Sequence, residues 1–291
     1  MAVVLNDFAS AAQRAAIQKL AAALDLPSFD KGWVWLAGAG PGDPGLITAL
    51  GLAAIAGADV ILYDALINEA LLKLARPGAD LVFAGKRAGK RSCKQTDISR
   101  TLVSLAKKGK RVLRLKGGDP LVFGRGAEEA LALARARVPF RIVPGVTAGI
   151  GGLAYAGIPV THRDTNHVVS FVTGHGADGR LPDLDWPAIA RGSPTIVLYM
   201  ARRHAGEIAA RLIAAGRSAG EPAAVVSNAS CPNQRVHETT LVELGRSAAE
   251  DAAPAVLVIG ENVTLRAGMD WLGAMAGKML EAPRERLSDV S

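Results

Sequence analysis

The chain has 291 residues, room for one large domain or two smaller ones, and 49% of them are hydrophobic, so it can build a sizeable core. Its apolar runs are shorter than the roughly 18 residues needed to cross a membrane, and its first residues lack the basic segment that opens a secretory signal. The two cysteines, Cys93 and Cys231, lie far apart and outside any CxxC pattern, which argues against a metal or redox pair and favours a reducing cytoplasm.

The first half of the chain alternates strands and helices. An amphipathic helix at 10–24 is predicted within an N-terminal helical extension, residues 1–32. Apolar runs bounded by turn residues then predict strands, and apolar residues at helical spacing predict helices. The predicted strands are 33–38, 59–64, 81–85, 111–115 and 140–145, and the predicted helices are 46–56, 67–75, 95–109 and 126–137.

The second half resumes this order after a change of rhythm. Residues 148–165 are rich in glycine and small side chains, which favours a short helix leading into a linker. Further strands are predicted at 167–174, 195–200, 223–227, 235–240 and 255–260, with a helix at 203–215. The pattern predicts an α/β protein with two α/β domains, residues 33–150 and 151–275, built on mostly parallel or mixed sheets. Residues 276–291 are predicted to form a flexible tail.

The loop GAGPGDPG, residues 38–45, follows the first predicted strand. Its glycines fit the dinucleotide pattern G-x-G-x-x-G, and Asp64 ends the second strand about 20 residues later, as that fold asks. However, Asp43 would place a carboxylate where a pyrophosphate binds, and Pro41 and Pro44 remove two N–H donors. A cationic ligand without phosphate fits better, and S-adenosyl-L-methionine is such a ligand. The alternative is a tight turn that binds nothing.

Positive charge is concentrated in one region. The chain carries 34 basic and 27 acidic residues, a net charge of +7, and residues 86–125 hold 13 of the basic residues against two acidic ones, a local net of +11. This region is therefore predicted to face an anionic partner, although a solvated helix face is favoured for Lys107, Lys108 and Lys110. It includes RLKGGDPLVFGRG, residues 114–126, where glycines interrupt a strand beside one carboxylate and three cations.

Six stretches, read in order, carry a resemblance: GAGPGDPG, YD, AGKRAGK, RLKGGDPLVFGRG, VPGVTAGIGGLAYAGIPVTHR and FVTGH. With them the chain resembles the uroporphyrinogen-III C-methyltransferases of the tetrapyrrole methyltransferase family over residues 33–265. The resemblance implies two α/β domains with S-adenosyl-L-methionine in the cleft between them, a cytoplasmic homodimer and no metal. It implies that uroporphyrinogen III receives two methyl groups to give precorrin-2, by way of precorrin-1, in cobalamin or sirohaem synthesis.

The resemblance also assigns the methyl-donor contacts to positions of this chain. Ala229 stands where family members often have glycine, and a contact through backbone would tolerate alanine. Ala65 stands where some members carry arginine, which puts a substrate role there in doubt. The implied donor contacts are Pro41, Gly117, Gly118, Asp119, Val122, Thr147, Ala148, Met200 and Ala229.

Cations are predicted to hold the eight carboxylates of uroporphyrinogen III. Arginine suits this task because its planar fork grips a carboxylate at two points. The candidate substrate-binding residues are Lys86, Arg87 and Arg163, with Arg125 less favoured because it could instead pin its loop.

Arg114 and Asp64 are the candidate catalytic residues. Arg114 is predicted to lie on the opposite face of its strand from Leu113 and Leu115, so it either grips substrate or forms a structural ion pair, with Asp119 or Glu128 as the suggested partner. Asp64 either touches substrate or caps the helix that follows.

Three further points concern Met200, two histidines and a fused module found in some relatives. Met200 is either a donor contact or a buried core residue. His162 and His167 have the spacing H-x4-H but no third metal ligand, so a hydrogen bond near the domain junction is favoured for His162. In some relatives the methyltransferase is fused to a dehydrogenase–ferrochelatase module, and the length of this chain predicts the methyltransferase alone.

Three alternative functions are considered, two from other classes of protein and one from the same superfamily. An RNA-binding protein could use the basic region, but aromatic residues make up only 4% of the chain, too few for base-stacking platforms, so no nucleic acid and no membrane is expected as partner. An NAD-dependent oxidoreductase would use the first glycine loop. A methyltransferase of the same superfamily could act on a later precorrin or on RNA.

Overall fold

The structure, a computed structural model, describes residues 10–85, 95–176 and 178–281. The chain divides into two compact units, the first ending at Thr147 and the second beginning at Ala148. The boundary expected from the sequence, after residue 150, lies within the short helix that opens the second unit. The predicted domain limits and the expected donor cleft stay predictions.

The first unit is built on a parallel sheet. Its strands are β1 (Val34–Gly38), β2 (Val60–Tyr63), β3 (Asp80–Phe83), β4 (Val112–Lys116) and β5 (Phe140–Val143). They lie in the order β3-β2-β4-β1-β5, and every neighbouring pair is parallel. The carboxyl ends of all five strands therefore meet at one edge of the sheet.

Helices connect these strands. They are α1 (Ala11–Ala23), α2 (Ala49–Gly57), α3 (Gln95–Lys107) and α4 (Gly126–Arg135), with 3₁₀ helices at Pro44–Leu46 and Glu69–Leu74. The predicted helix at 46–56 starts late, because the Thr48 hydroxyl accepts the Gly51 N–H and caps α2 there. The predicted α-helix at 67–75 is a 3₁₀ helix, capped by Asn68.

The three central strands of the first sheet are buried on both faces. Trp35 and Ala37 of β1 pack in one apolar cluster, and Val34 and Leu36 pack in another on the opposite face. All five residues of β1 and of β4 are buried. This explains why β1 is apolar throughout rather than alternating, since a central parallel strand is covered on both sides.

The second unit is built on a mixed sheet. Its strands are β6 (Val169–Thr173), β7 (Thr195–Tyr199), β8 (Pro222–Ser227), β9 (Arg235–Thr240) and β10 (Ala255–Ile259). They lie in the order β6-β7-β10-β8-β9; β6 and β7 are parallel, and the other pairs are antiparallel. The predicted α/β class, with parallel or mixed sheets, is confirmed by the two sheets.

Helices of the second unit include several that the apolar pattern did not reveal. A π-helix at Ala148–Gly152 continues into α5 (Leu153–Tyr155), where a short helix was predicted. The segment α7 (Ala205–Ala214) matches the predicted helix at 203–215. The helices not predicted are α6 (Trp186–Gly192), α8 (Leu244–Glu250), α9 (Arg266–Met269) and α10 (Trp271–Met275). At four to seven residues each, they are too short to show a helical repeat.

Candidate functional site

The two glycine loops of the first unit meet at the carboxyl edge of its sheet. The Gly118 N–H donates to the Gly40 carbonyl at 2.7 Å, and the Gly40 N–H donates to the Gly118 carbonyl at 3.2 Å. The connections that leave the neighbouring strands β1 and β4 lead to opposite sides of the sheet. Ligands of open α/β sheets bind at such a point, so this edge is the candidate site of the first unit.

Bare backbone is a steric requirement at this edge. A Cβ added at Gly38 would lie 2.4 Å from the Gly118 carbonyl oxygen and 2.5 Å from the Gly145 Cα. A Cβ at Gly117 would lie 2.7 Å from the Leu66 Cβ. Gly118 itself has a φ of 66°, in the left-handed region that glycine tolerates best. The loops that follow β1, β4 and β5 are thus held in backbone contact.

Asp119 ties these loops together. One of its carboxylate oxygens accepts the N–H groups of Leu121 at 2.7 Å and Val122 at 3.2 Å, and the other accepts the Gly145 N–H at 2.9 Å. The carboxylate therefore fixes the loop that carries the candidates Gly117, Gly118 and Val122. Thr147, the last candidate of the first unit, is buried shortly after Gly145.

In the first glycine loop, the carboxylate of Asp43 binds the backbone of the loop itself. Asp43 accepts the Gly45 N–H at 2.7 Å and so caps the 3₁₀ helix Pro44–Leu46. The positive end of that helical turn is therefore occupied by a carboxylate of the chain, and Pro41, just before it, is only partly buried. This geometry agrees with the interpretation that the loop does not bind a pyrophosphate.

A cluster of four charged side chains lies beneath this edge. The Glu129 Oε1 atom of α4 lies 3.2 Å from the Arg114 Nε and 3.4 Å from the Lys116 Nζ, and the Arg114 Nη2 lies 3.7 Å from the Asp64 Oδ2. Glu129 is fully buried, and the Arg114 and Lys116 side chains are 4% and 5% exposed. The Asp64 side chain, at 23%, is the most exposed of the four.

Arg114 is bound inside the protein. It lies on the opposite face of β4 from Leu113 and Leu115, as predicted, and Leu113 and Leu115 pack in the core cluster of the other face. Its nearest carboxylate is Glu129. The suggested partners Asp119 and Glu128 are wrong, because Asp119 accepts backbone N–H groups and Glu128 binds Arg125 at 2.8 Å.

The other members of the cluster show what burial does to charge. Burial lowers the pKa of the Lys116 ammonium from its usual value, the nearby Arg114 cation lowers it further, and the Glu129 carboxylate opposes both effects. Asp64 accepts the Leu66 N–H at 3.1 Å. It therefore caps a turn and not a regular helix, while its second oxygen faces Arg114.

Of the substrate-binding candidates, only Arg163 and the less favoured Arg125 lie among the described residues. Lys86 and Arg87 lie outside the described residues. Arg163 is exposed in the second unit, within the turn joined by the bridge between His162 and Asn166. Arg125 is half exposed and paired with Glu128, which agrees with a role in pinning its loop.

The described cations of the basic region, within residues 95–125, have different environments. Arg114 and Lys116 are buried, Arg111 binds Asp59, and Lys107 and Lys108 are exposed at the end of α3. Lys107 and Lys108 line an outer groove between α3 and α4 whose other basic members are Arg100, Arg125 and Arg135.

The candidates of the second unit converge at one edge of its own sheet. The Gly149 N–H, in the π-helix that starts at Ala148, donates at 2.7 Å to the hydroxyl of Tyr199, the neighbour of Met200. A Cβ added at Gly152, in the same helix, would lie 2.6 Å from the Ala229 Cβ. Strands β7 and β8 both run antiparallel to β10, so Met200 and Ala229 follow the same ends of parallel strands.

Backbone strain marks this edge of the second unit. Met200, Asn228 and Ser230 have φ values of 54°, 49° and 59°, unusual for residues with side chains. Strained residues and π-helical turns both concentrate at functional sites. Met200 is 50% exposed, so the alternative that it is a buried core residue is wrong.

Three residues of these edges were not predicted: Glu129, Lys116 and Tyr199. Lys116 could have been found, because it is two residues from Arg114 on the same face of the strand. Glu129 and Tyr199 had no such signal, since their partners are distant in the chain.

Metal-ligand clusters and membrane-spanning helices are both absent from the described residues. Within residues 10–85, 95–176 and 178–281, no three His, Cys, Asp or Glu side chains are grouped to hold a metal ion. The His162 Nδ1 atom accepts the Asp164 N–H at 3.3 Å, and His167 is exposed. No helix in the same ranges has the length and apolarity to span a bilayer.

Comparison with known proteins places these loops in a family. Residues 34–245 match the model of the tetrapyrrole (corrin/porphyrin) methylases. The chain is 62% identical over 260 residues to a uroporphyrinogen-III C-methyltransferase of Sinorhizobium sp, covering 88% of this chain and 93% of that protein.

Two other similar proteins extend the comparison. The chain is 51% identical over 246 residues to a siroheme synthase of Actinobacillus pleuropneumoniae serotype 7 (strain AP76), covering 84% of this chain and spanning 50% of the synthase. Among solved structures, uroporphyrin-III C-methyl transferase from Thermus thermophilus, complexed with S-adenyl homocysteine, superposes with a TM-score of 0.70 at 41% identity. That superposition covers 79% of this chain and 98% of the Thermus chain.

Proposed function

The chain belongs to the tetrapyrrole (corrin/porphyrin) methylase family, and on that premise we propose that it transfers methyl groups from S-adenosyl-L-methionine to uroporphyrinogen III. Two transfers would give precorrin-2 by way of precorrin-1. The observation that carries the proposal is the 62% identity to a uroporphyrinogen-III C-methyltransferase along 93% of that protein. The siroheme synthases, of which the chain spans about half, support a place in sirohaem or cobalamin synthesis.

The residues of the first unit suit the methyl donor. Gly117 and Gly118 leave backbone bare, and the Asp119 carboxylate holds their loop in place. The Asp43 carboxylate disfavours a phosphate-bearing cofactor and suits a sulfonium cation. When bound, S-adenosyl-L-methionine supplies an electrophilic methyl group on a positively charged sulfur. Pro41, Val122 and Thr147 complete the proposed contacts of this unit.

The second unit offers donor contacts of its own. Met200 is half exposed and directly follows Tyr199, whose hydroxyl accepts the Gly149 N–H, and Ala229 packs against the π-helix that begins with Ala148. Ala229 is buried, as expected for a contact made through backbone, which explains how alanine replaces the glycine common in the family.

The chemistry assigned to the chain is positioning, charge and proton transfer. A pyrrole carbon is electron-rich, so most of the acceleration would come from aligning it and excluding water. Arg163, with Lys86 and Arg87, would bind the substrate carboxylates. A proton leaves the macrocycle after methyl transfer, and Asp64 is our proposed acceptor, because it is the member of the charged cluster with exposed surface.

The direct test is the mass of the product. Uroporphyrinogen III is incubated anaerobically with donor and enzyme, and we expect a product heavier by two CH2 units, because each methyl group gained is accompanied by the loss of one proton. A reaction without donor and a reaction with the Asp64→Asn variant are the controls. An unchanged mass would refute the function. Methylation only of a later precorrin would instead assign the chain the function of another member of the family.

Assembly and location complete the proposal. We expect a cytoplasmic homodimer with no nucleic-acid or membrane partner. Light scattering at micromolar concentration should then give twice the chain mass of 30.1 kDa. A mass equal to one chain would contradict the dimer without affecting the reaction.

A further inference from the structure

Glu129 is a buried carboxylate that the proposed function does not use. It lies on α4, one residue after the exposed Glu128, and its Oε1 atom accepts bonds from Gln95 Nε2 at 2.8 Å and Arg114 Nε at 3.2 Å. Lys116 Nζ approaches the same atom at 3.4 Å. A charged group removed from water is costly unless its partners hold it; here the three donors all meet Oε1, while the buried Oε2 atom has no hydrogen-bond partner among the described residues.

The contacts of Arg114 show what Glu129 determines. The Arg114 Nη1 atom donates to the carbonyls of Leu115 at 3.2 Å and Leu62 at 3.4 Å, and its Nε donates to Glu129. These bonds orient the plane of the guanidinium. The remaining nitrogen, Nη2, is directed at the Asp64 Oδ2, 3.7 Å away. Exposure rises along the same path, from Glu129 at 0% to Asp64 at 23%.

We propose that Glu129 is a positioning residue for methyl transfer: it orients Arg114, and through Arg114 it fixes the position of the Asp64 carboxylate. This inference rests on the proposed function, because Asp64 is the group it serves. The bonds of Glu129 go to Gln95, Arg114 and Lys116, which are not among the proposed donor contacts, so we expect its loss to lower turnover and not donor affinity.

The balance of charge in the cluster explains why Glu129 would affect the position of Asp64. Arg114 and Lys116 carry two positive charges, which Glu129 and Asp64 balance. Without the Glu129 charge, Asp64 would be the one carboxylate of this cluster beside both cations. It would be drawn inward, away from the position in which it serves substrate. A misplacement of about 1 Å at a reacting group can cost about 100-fold in rate.

Three variants separate positioning from packing. Glu129→Gln keeps the shape and removes the charge, whereas Glu129→Asp keeps the charge on a shorter side chain. Glu128→Gln is the matched control, because Glu128 is the neighbouring residue in an exposed pair with Arg125. For each variant we would measure kcat and KM for uroporphyrinogen III, the Kd for S-adenosylhomocysteine by calorimetry, and the melting temperature.

The inference predicts a ranking of the variants by kcat. Glu128→Gln should equal wild type, Glu129→Asp should lose part of kcat, and Glu129→Gln should lose at least about tenfold. KM and the Kd for S-adenosylhomocysteine should stay within about twofold, since the loss is of a group that acts during the reaction. If Glu129→Gln does not fold, a reduced kcat with unchanged Kd in Glu129→Asp supports the inference, and an unchanged kcat overturns it.

Other outcomes overturn the inference in distinguishable ways. If Glu129→Asp is worse than Glu129→Gln, the residue fills space and does not position charge. Equal turnover in wild type and Glu129→Gln, or a parallel loss of donor affinity, also rejects it while leaving the reaction standing. If wild type itself methylates nothing, the proposed function fails, and this inference fails with it.

Discussion

Arg114 illustrates how a residue's environment decides between two roles. The sequence allowed either a grip on substrate or a structural ion pair. In the structure its side chain is 4% exposed and bonded to Glu129 and two backbone carbonyls, so most of its N–H groups are already used. The structure therefore favours an internal role, with Asp64 as the group that reaches outward.

The substitution Arg114→Met tests this internal role. Removing Arg114 should lower the free energy of unfolding by about 1–3 kcal/mol, because the buried Glu129 then keeps only Lys116 and Gln95 as partners. Arg125→Met is the control: Arg125 pairs with Glu128 at the surface, and its loss should cost less than about 1 kcal/mol. Denaturant unfolding measures both. Unchanged stability with lost turnover would instead favour a direct grip on substrate.

At the scale of elements, the glycine loops owe their form to close backbone approach. Gly40 and Gly118 exchange two hydrogen bonds, and Gly38 and Gly145 pack against the Gly118 carbonyl. These contacts join the loops after β1, β4 and β5, which are far apart in the chain. The segment KGGD, residues 116–119, is thus a point where three loops meet.

Gly118→Ala should weaken donor binding by at least about tenfold, because it adds a side chain where backbone is expected to approach the ligand. Gly109→Ala is the control: Gly109 also has a positive φ, 75°, and a Cβ there meets nothing within 4 Å. Both changes force alanine into the left-handed region at a cost of about 1–2 kcal/mol. Calorimetric titration with S-adenosylhomocysteine distinguishes them. Equal affinities would remove the loop from the donor site.

At the scale of the whole molecule, the two edges of the first sheet differ in what they carry. Its carboxyl edge carries the glycine loops, whereas Asp59 lies at the opposite edge, just before β2. Asp59 accepts the Arg111 N–H at 2.8 Å and its Nη2 at 2.9 Å, and it also binds Arg76. These bonds join the starts of β2 and β4.

Acid should weaken this opposite edge. The Arg111 side chain holds the pKa of the Asp59 carboxyl well below its usual range, against the opposing effect of burial. A lowered pKa in the folded state means that the stabilisation is present above about pH 4 and is lost as pH falls towards the lowered value.

Asp59→Asn should therefore be less stable at pH 7 by about 2 kcal/mol and lose less stability on acidification. The exposed Asp80→Asn should stay within about 0.5 kcal/mol of wild type. Denaturant unfolding between pH 7 and 3 gives both numbers. Parallel pH curves for wild type and Asp59→Asn would reject this assignment.

Some parts of the fold could be predicted from local pattern, and others could not. The strand β1 was predicted within one residue, because a short apolar run that ends in a glycine loop favours a buried strand over a helix. The antiparallel pairing of β8 and β9 also had a signal, since the seven residues that join them are too few for a crossover. The short helices α6 and α8 show no apolar repeat, although Asp185 and Pro187 mark the start of α6.

The sequence by itself determined the family, the α/β class and the loops that carry the candidate site, because glycines, prolines and charges at fixed spacing act within a few residues of one another. Only the tertiary structure decided which charges meet. It paired Arg114 with Glu129 on α4, bonded Asp119 to the backbone of Gly145, and joined the π-helix to Tyr199 and Ala229. Burial is the reason: a charge or backbone group removed from water must find a partner, and that partner is selected by the packing of distant elements.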